Sequence, residues 1–189
     1  MRGVRVMTQF SISGGGGSGI SAADATASGS GVFWGYTVYP PATADLTATG
    51  AEGTANQVYA WKFVLPFRIT VRSISAKMSA ATAGTFDAGI YDFSGNKLLN
   101  TGGLTTNSTA VQVANITPVT LQAGVYYFAF CGSVSNLNYF GVTNNSRAQF
   151  DNYYNCGTAA SAGVLPATLG TLTSQNGTNT YPVCALFLS

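Results

Sequence analysis

Apolar and polar residues alternate along residues 67–72, which read Phe-Arg-Ile-Thr-Val-Arg. Successive side chains of a β-strand point to opposite faces, so this period of two predicts a half-buried strand whose polar face points outward. After Ser73 the apolar positions shift by one, to Ile74, Ala76 and Met78. The shift predicts a bulge or a strand break near Ser73, because either would re-aim the chain.

Strand-like segments recur along the rest of the chain, roughly one every 8–15 residues, with glycine and asparagine between them. We expect them at residues 85–91, 97–99, 110–114, 119–121, 125–131, 137–142 and 181–188. The segment at 125–131 is apolar on both faces, which is typical of a central strand. Asp92-Phe93-Ser94-Gly95 predicts a type I turn between the first two segments. Asn115 and Pro118 are expected to break the run that ends at residue 121.

The fold class follows from these segments. No stretch of about 12 residues has the apolar spacing of an amphipathic helix. Many short strands with turn residues between them predict an all-β fold, an antiparallel β-sandwich of the jelly-roll type. We assign this domain to residues 32–189 and treat residues 1–31 separately, because their composition differs from that of the rest of the chain.

Residues 1–31 are rich in glycine, serine and other small residues, and residues 13–19 have the composition of a flexible linker. An arm of this kind becomes ordered only when a partner chain holds it, so we expect it to anchor the domain in an assembly. The residues expected to form this assembly arm are Phe10, Ile12, Gly14, Gly15, Gly16, Gly17 and Ile20. An artificial linker would have the same composition, and Met7 could then be the natural start.

The composition excludes several classes of function. The chain has no histidine, so neither a Ser-His-Asp nor a Cys-His catalytic set can form, and three cysteines cannot supply a four-cysteine zinc site. We therefore expect no enzymatic activity, no cofactor and no metal. The 8 lysine and arginine residues are scattered and do not form the clustered patch that binds nucleic acid. The longest apolar run is far shorter than the roughly 20 residues of a membrane span.

The surface must be largely neutral, because only 7% of residues are charged, against about 25% in an ordinary soluble domain. Such a surface suits a protein packed into an assembly or lying outside cells, since charge is what keeps free monomers apart. Residues 1–6 are basic but lack the apolar run of a secretory signal. A virion protein, made in a host cytoplasm and released by lysis, fits both observations.

Four segments together resemble a known kind of domain. They are residues 61–71, residues 89–92 with Gly95 and Leu98, residues 119–127 and residues 165–170. Across residues 32–189 the chain resembles the β-sandwich domain of accessory virion proteins of tailed bacteriophages, such as head fibres, capsid decorations and tail appendages. The resemblance implies display on the virion exterior, contact with major capsid or tail proteins, and assembly into a homo-oligomer. Some of these domains are similar to lectins, and no catalytic residues come with the resemblance.

Residues 136–155 interleave amides and carboxylates with aromatic rings more densely than any other part of the domain. Amides hydrogen-bond sugar hydroxyls and rings cover the apolar face of a sugar, whereas tyrosine is also enriched at subunit interfaces. The segment therefore predicts either a binding site for a host-surface glycan or an interface. Its candidate residues are Asn138, Tyr139, Asn144, Asp151, Asn152, Tyr153 and Tyr154. A glycan site requires a ring face of Tyr139, Tyr153 or Tyr154 to be exposed.

Two further groups of reactive side chains have structural explanations. Asp87 and Asp92 are five residues apart on one predicted strand, so they should point to opposite faces rather than form a catalytic pair. Cys131, Cys156 and Cys184 allow one disulfide in three pairings. Because synthesis in a cytoplasm keeps thiols reduced, we expect three buried thiols instead.

Overall fold

The computed structural model describes residues 32–34, 49–51, 53–65, 67–144, 153–175, 179–182 and 184–188. Within these ranges the chain consists of strands and loops and contains no helix, which confirms the predicted all-β class. The assembly arm at residues 1–31 lies outside the described residues. The strands are β1 (Val32–Trp34), β2 (Thr49–Ala51), β3 (Tyr59–Leu65), β4 (Ile69–Lys77), β5 (Thr85–Asp92), β6 (Lys97–Asn100), β7 (Leu104–Thr105), β8 (Val111–Leu121), β9 (Gly124–Gly132), β10 (Asn138–Asn144), β11 (Tyr153–Cys156), β12 (Leu172–Ser174), β13 (Asn179–Pro182) and β14 (Cys184–Leu188).

The strands form three sheets. One sheet has four strands in the order β1-β14-β4-β8, and a second has the order β12-β11-β3-β9-β5-β6 with β7 also paired to β5. The third is small, with the order β13-β10-β2. All strand pairs are antiparallel, as expected.

The main core lies between the four-stranded sheet and the seven-stranded sheet. Ile69 and Val71 of β4 face it together with Ile90 of β5 and Phe128 and Phe130 of β9. On the opposite face of the sheet, Arg68 just before β4 and Arg72 within it are exposed. The predicted period of two is therefore present. Phe67 is only half-buried, because the strand begins at Ile69.

The predicted irregularity near Ser73 is a bulge within one continuous strand. Val71 pairs with Val119 of β8, and Ser73 pairs with Asn115. A single residue of β4 thus lies opposite three residues of β8, 116–118. The apolar positions along β4 shift by one residue at this point. The expectation that Asn115 and Pro118 end a strand is wrong. β8 continues through both, because Pro118 lies in the bulge, where no ladder hydrogen bond needs its missing N–H.

The predicted turn at Asp92–Gly95 is present and joins β5 to β6. The Gly95 N–H donates to the Asp92 carbonyl at 3.0 Å. Gly95 has a φ of 83°, a left-handed conformation that glycine adopts without strain. The turn therefore closes the hairpin in the way the sequence predicted.

Strand β9 is central, as its apolar faces predicted, since it lies between β3 and β5. Its second face forms a smaller core that includes Ala129 and Cys131 and is covered by Leu165 and Leu169 of the segment 157–171. The expected single strand at 181–188 is instead divided. β13 pairs with β10 in the small sheet, whereas β14 pairs with β4.

Candidate functional site

The residues predicted as a glycan site or interface do not lie on one surface. Tyr139 and Tyr153 are only 3% and 4% exposed. The ring of Tyr139 packs edge-on against Phe130 with a centroid distance of 5.8 Å. The ring of Tyr153 lies parallel to that of Tyr59 at 5.8 Å. Neither ring presents a face to solvent, because both strands direct these side chains into the main core, so of the three rings that a glycan site could use only that of Tyr154 is partly exposed.

The other predicted residues are dispersed. Asn138 begins β10, and its side-chain amide donates to the Asn136 carbonyl at 2.9 Å, so it stabilises the preceding turn. The backbone of Asn144 ends β10 and pairs with Asn179. Asp151 and Asn152 lie outside the described residues. Tyr154 is half-buried on the outer face of the seven-stranded sheet, away from the main core.

Tyr154 belongs to a different set of side chains, which lie on the outer face of the seven-stranded sheet and which we call the Phe93 patch. It consists of Phe93, Val64, Val125, Tyr127, Tyr154 and Lys62. The strand register places them together, because Val64 pairs with Val125 while Tyr127 pairs with Lys62 on one side and with Tyr91 on the other. Phe93 lies in the turn after β5, and its ring contact with Tyr127 places it on the same face. Phe93 is 63% exposed and Val64 is 67% exposed.

The aromatic rings of the patch support one another. The Phe93 ring is parallel to the Tyr127 ring within 5°, with centroids 6.0 Å apart. The Tyr127 ring meets that of Tyr154 edge-on at 5.9 Å. Burial raises the pKa of Tyr127, and the neighbouring Tyr154 and Cys156 raise it further, so the Tyr127 phenol remains neutral. Apart from Lys62, the side chains of the patch are thus uncharged and largely apolar.

The turn that carries Phe93 is held firmly. The Asp92 carboxylate accepts hydrogen bonds from the Asn96 backbone at 2.8 Å and from its side-chain amide at 3.0 Å. These bonds hold the pKa of Asp92 below its usual value. The Leu169 N–H donates to the Gly95 carbonyl at 3.0 Å, which attaches the turn to the segment covering the sheet. Phe93 is therefore presented from a fixed backbone.

Asp87 is fully buried and accepts four hydrogen bonds. One carboxylate oxygen accepts from the Thr101 hydroxyl at 2.6 Å and from the Gly102 N–H at 3.0 Å. The other accepts from the Asn100 side-chain amide at 2.6 Å and from the Leu165 N–H at 2.8 Å. The carboxylate thus joins β5 to the end of β6 and to the covering segment, and it does not lie with the exposed Asp92.

Lys97 and Asp87 both hydrogen-bond to the backbone of Leu165. Lys97 donates from Nζ to the Leu165 carbonyl at 2.7 Å, while the N–H of Leu165 donates to Asp87. The Tyr91 hydroxyl donates to the neighbouring Pro166 carbonyl at 2.6 Å, and burial raises the pKa of Tyr91. These bonds attach the covering segment to the seven-stranded sheet, so the polar groups beneath it stabilise the fold.

All three cysteines are buried thiols, as expected. Cys131 and Cys156 lie on either side of Val58 in the seven-stranded sheet, since the Cys156 N–H donates to the Val58 carbonyl and the β3–β9 register places Cys131 opposite Val58. Two strand spacings are about 10 Å, beyond the reach of a disulfide. Cys184 lies in the main core instead. Burial raises the pKa of Cys156 to about 12.

The outer edge of the four-stranded sheet is a second surface with exposed apolar side chains. Val111 and Val113 of β8 are 58% and 51% exposed. Ala114, the next residue of β8, points toward the core and is buried. The two valines lie on the outer side of the sheet, opposite Lys77 and Ser75 of β4. None of the 11 residues of β8 is charged.

Within the described ranges, no group of three or more potential ligands is arranged to hold a metal ion. The same part of the chain contains no helix long and apolar enough to cross a membrane. No protein family model, curated protein or solved structure matches the chain.

Proposed function

We propose that the chain is a non-enzymatic structural protein of a bacteriophage virion. In this proposal the sheets form a jelly-roll β-sandwich displayed on the particle exterior as a capsid decoration, head fibre or tail appendage. The N-terminal arm anchors it to other virion proteins, and the chain is released with the particle when the host lyses. The observation that carries the proposal is the pair of exposed apolar surfaces on opposite sides of the domain.

These surfaces belong to different sheets. The Phe93 patch lies on the outer face of the seven-stranded sheet, whereas Val111 and Val113 lie on the outer face of the four-stranded sheet. The main core lies between the two sheets, so the surfaces face in opposite directions. Exposed apolar patches on small domains commonly mark contacts with other molecules. A subunit packed between neighbours would cover both.

The chemistry of the polar groups supports the non-enzymatic part of the proposal. Asp87 uses both carboxylate oxygens to accept four internal hydrogen bonds. Asp92 uses both of its oxygens to bind Asn96. General acid–base catalysis needs a group within hydrogen-bond reach of the substrate proton, and these two carboxylates are already engaged by the protein.

Particle association tests this function. We expect an affinity-tagged chain, expressed from the phage genome, to co-sediment with complete particles through a density gradient. Gold-labelled antibody against the tag should bind the outside of intact particles. If the tagged chain stays in the soluble fraction while complete particles form, the structural role is wrong.

A second candidate function, an extracellular carbohydrate-binding module for host adhesion, is favoured by one specific observation. The Phe93 ring is largely exposed, is fixed by its turn and is backed by the parallel ring of Tyr127. Stacking of a sugar on an aromatic ring needs such an exposed, rigid face, with hydroxyl and ammonium groups beside it for hydrogen bonds. Lys62 pairs with Tyr127 across the strands, and the Tyr154 ring meets that of Tyr127 edge-on.

Replacing Phe93 tests the second candidate. On a glycan array, Phe93→Ala is expected to weaken any sugar binding by about tenfold or more, since a stacked ring contributes about 1 kcal/mol beyond its buried area. Leu98→Ala is the matched control, because Leu98 is also an exposed apolar residue but lies on β6 outside the patch. Equal binding by the native chain and Phe93→Ala would exclude the patch as the glycan site.

A further inference from the structure

Strand β8 is the edge of the four-stranded sheet. In the part of the chain that the structure describes, it pairs with β4 alone. An edge strand presents a row of N–H and C=O groups that can accept another strand, and proteins usually protect such edges with charged residues or proline. Residues 111–117 of β8 contain neither. With Val111 and Val113 exposed, this half of the edge is unusually open to strand addition.

The sequence of the arm contains a matching pattern. Residues 4–12 read Val-Arg-Val-Met-Thr-Gln-Phe-Ser-Ile, so that β-branched or aromatic residues occupy every second position. These residue types at a period of two are the signature of a strand with one apolar face. Extended, nine residues span roughly 30 Å, comparable to the length of β8. The tetraglycine tract that follows has the composition of a flexible linker.

We propose that residues 4–12 of one copy add as a strand to the free edge of β8 in a neighbouring copy. This inference rests on the proposed assembly function and names the partner of the arm as a second copy of this chain. Backbone hydrogen bonds to the edge provide affinity, and contact of Phe10 and Ile12 with Val111 and Val113 selects the register. Both strands are uncharged at these positions, so no charge loses its hydration.

The positions of the two edges favour a neighbouring copy over the arm's own domain. The arm continues directly into β1, which is one edge of the four-stranded sheet, and β8 is the other edge. Copies placed side by side bring the arm of one next to β8 of the next. Such a head-to-tail contact closes into a ring or extends as an open filament.

Cysteine cross-linking of full-length chains tests the contact directly. Phe10→Cys and Val113→Cys chains are mixed and oxidised; we expect a disulfide-linked dimer, because paired strands bring Cα atoms within the roughly 7 Å that a disulfide needs. Phe10→Cys mixed with Val64→Cys is the control, since Val64 is more exposed than Val113 but lies on the seven-stranded sheet. The three native cysteines are buried and do not compete. Equal cross-linking to both positions would overturn the proposal.

Sedimentation velocity of the full chain provides the second measurement. Thr8→Pro and Val113→Lys are expected to weaken self-association by at least about tenfold, because they remove a backbone donor from the added strand and place a charge on the edge. Ser18→Pro and Leu98→Lys should leave it unchanged, because Ser18 lies outside residues 4–12 and Leu98 is exposed on β6, outside both apolar surfaces. The proposal is overturned if the chain stays monomeric at all concentrations. It is also overturned if a chain that carries both Phe10→Cys and Val113→Cys forms the disulfide within itself.

Failure of this inference and failure of the proposed function can be told apart. If the chain co-sediments with particles but neither cross-links nor self-associates, the arm binds something other than β8 and only the inference is wrong. If the chain forms the specific cross-link but never joins a particle, the contact is correct and only the virion role is wrong.

Discussion

Asp87→Asn is expected to lower the free energy of unfolding by about 3–5 kcal/mol, measured by urea denaturation. The asparagine side chain has nearly the same shape, but its NH2 group would point its two hydrogens at two of the four donors that now bind the Asp87 carboxylate. The donors on one side of Asp87 are the Thr101 hydroxyl and the Gly102 N–H, and on the other side they are Asn100 and Leu165. Whichever way the amide turns, two donors lose their acceptor.

The control is Asp92→Asn, the same chemical change at the other end of β5. Asp92 also accepts hydrogen bonds, but it lies in an exposed turn where water can replace them. We expect a loss below about 1 kcal/mol. Equal losses at Asp87 and Asp92 would show that the buried carboxylate does not hold the end of β6 and the covering segment together.

The strands that the sequence predicted correctly are those whose pattern is local. The alternation along residues 67–72 placed Ile69 and Val71 inside, and the shift of phase located the bulge at the position where Val71 and Ser73 change register. The apolar run at 125–131 marked the central strand β9. These features were predictable because each depends on residues that are neighbours in the chain.

The course of β8 was not predictable in the same way. Asn115 and Pro118 are strand-breaking residues, yet the strand continues because residues 116–118 form a bulge opposite a single residue of β4. That accommodation depends on a strand about 40 residues earlier in the chain, and the local sequence carries no sign of it.

The candidate site was only partly predictable. Amides and tyrosines are abundant in residues 136–155, but composition does not say which face of a strand each ring takes. Tyr153 and Tyr154 are adjacent, and the strand turns one into the main core and the other toward the Phe93 patch. Phe93 itself was assigned only to a turn, because its exposure depends on pairing between β5 and β9.

The hydrogen bonds of Asp87 could not be predicted from the sequence for the same reason. Its donors come from residues 13 to 15 positions later and from Leu165, 78 positions later. Hydrogen bonds between residues so far apart in the chain can be identified only from the folded structure. The sequence did contain one usable signal, since an aspartate within the apolar stretch 86–91 must be satisfied internally.

Phe130→Ala is expected to lower the free energy of unfolding by about 3–5 kcal/mol. Phe130 is fully buried on the central strand and lies at the centre of an aromatic cluster. Its ring centroid is 5.5 Å from that of Tyr59, 5.8 Å from those of Trp61 and Tyr139, and 6.2 Å from that of Phe86. Truncation removes the contact common to all four rings, and large rings on paired strands cannot move inward to fill the space.

The matched control is Phe93→Ala, because it deletes the same ring at a position that is largely exposed. Phe93 contacts only the outer face of Tyr127 among the described ring pairs, so we expect a loss below about 1 kcal/mol. Chemical denaturation of the two variants under identical conditions gives the comparison. A loss at Phe130 no larger than that at Phe93 would contradict the packing of the main core, because a ring enclosed by four others cannot be removed without leaving a cavity.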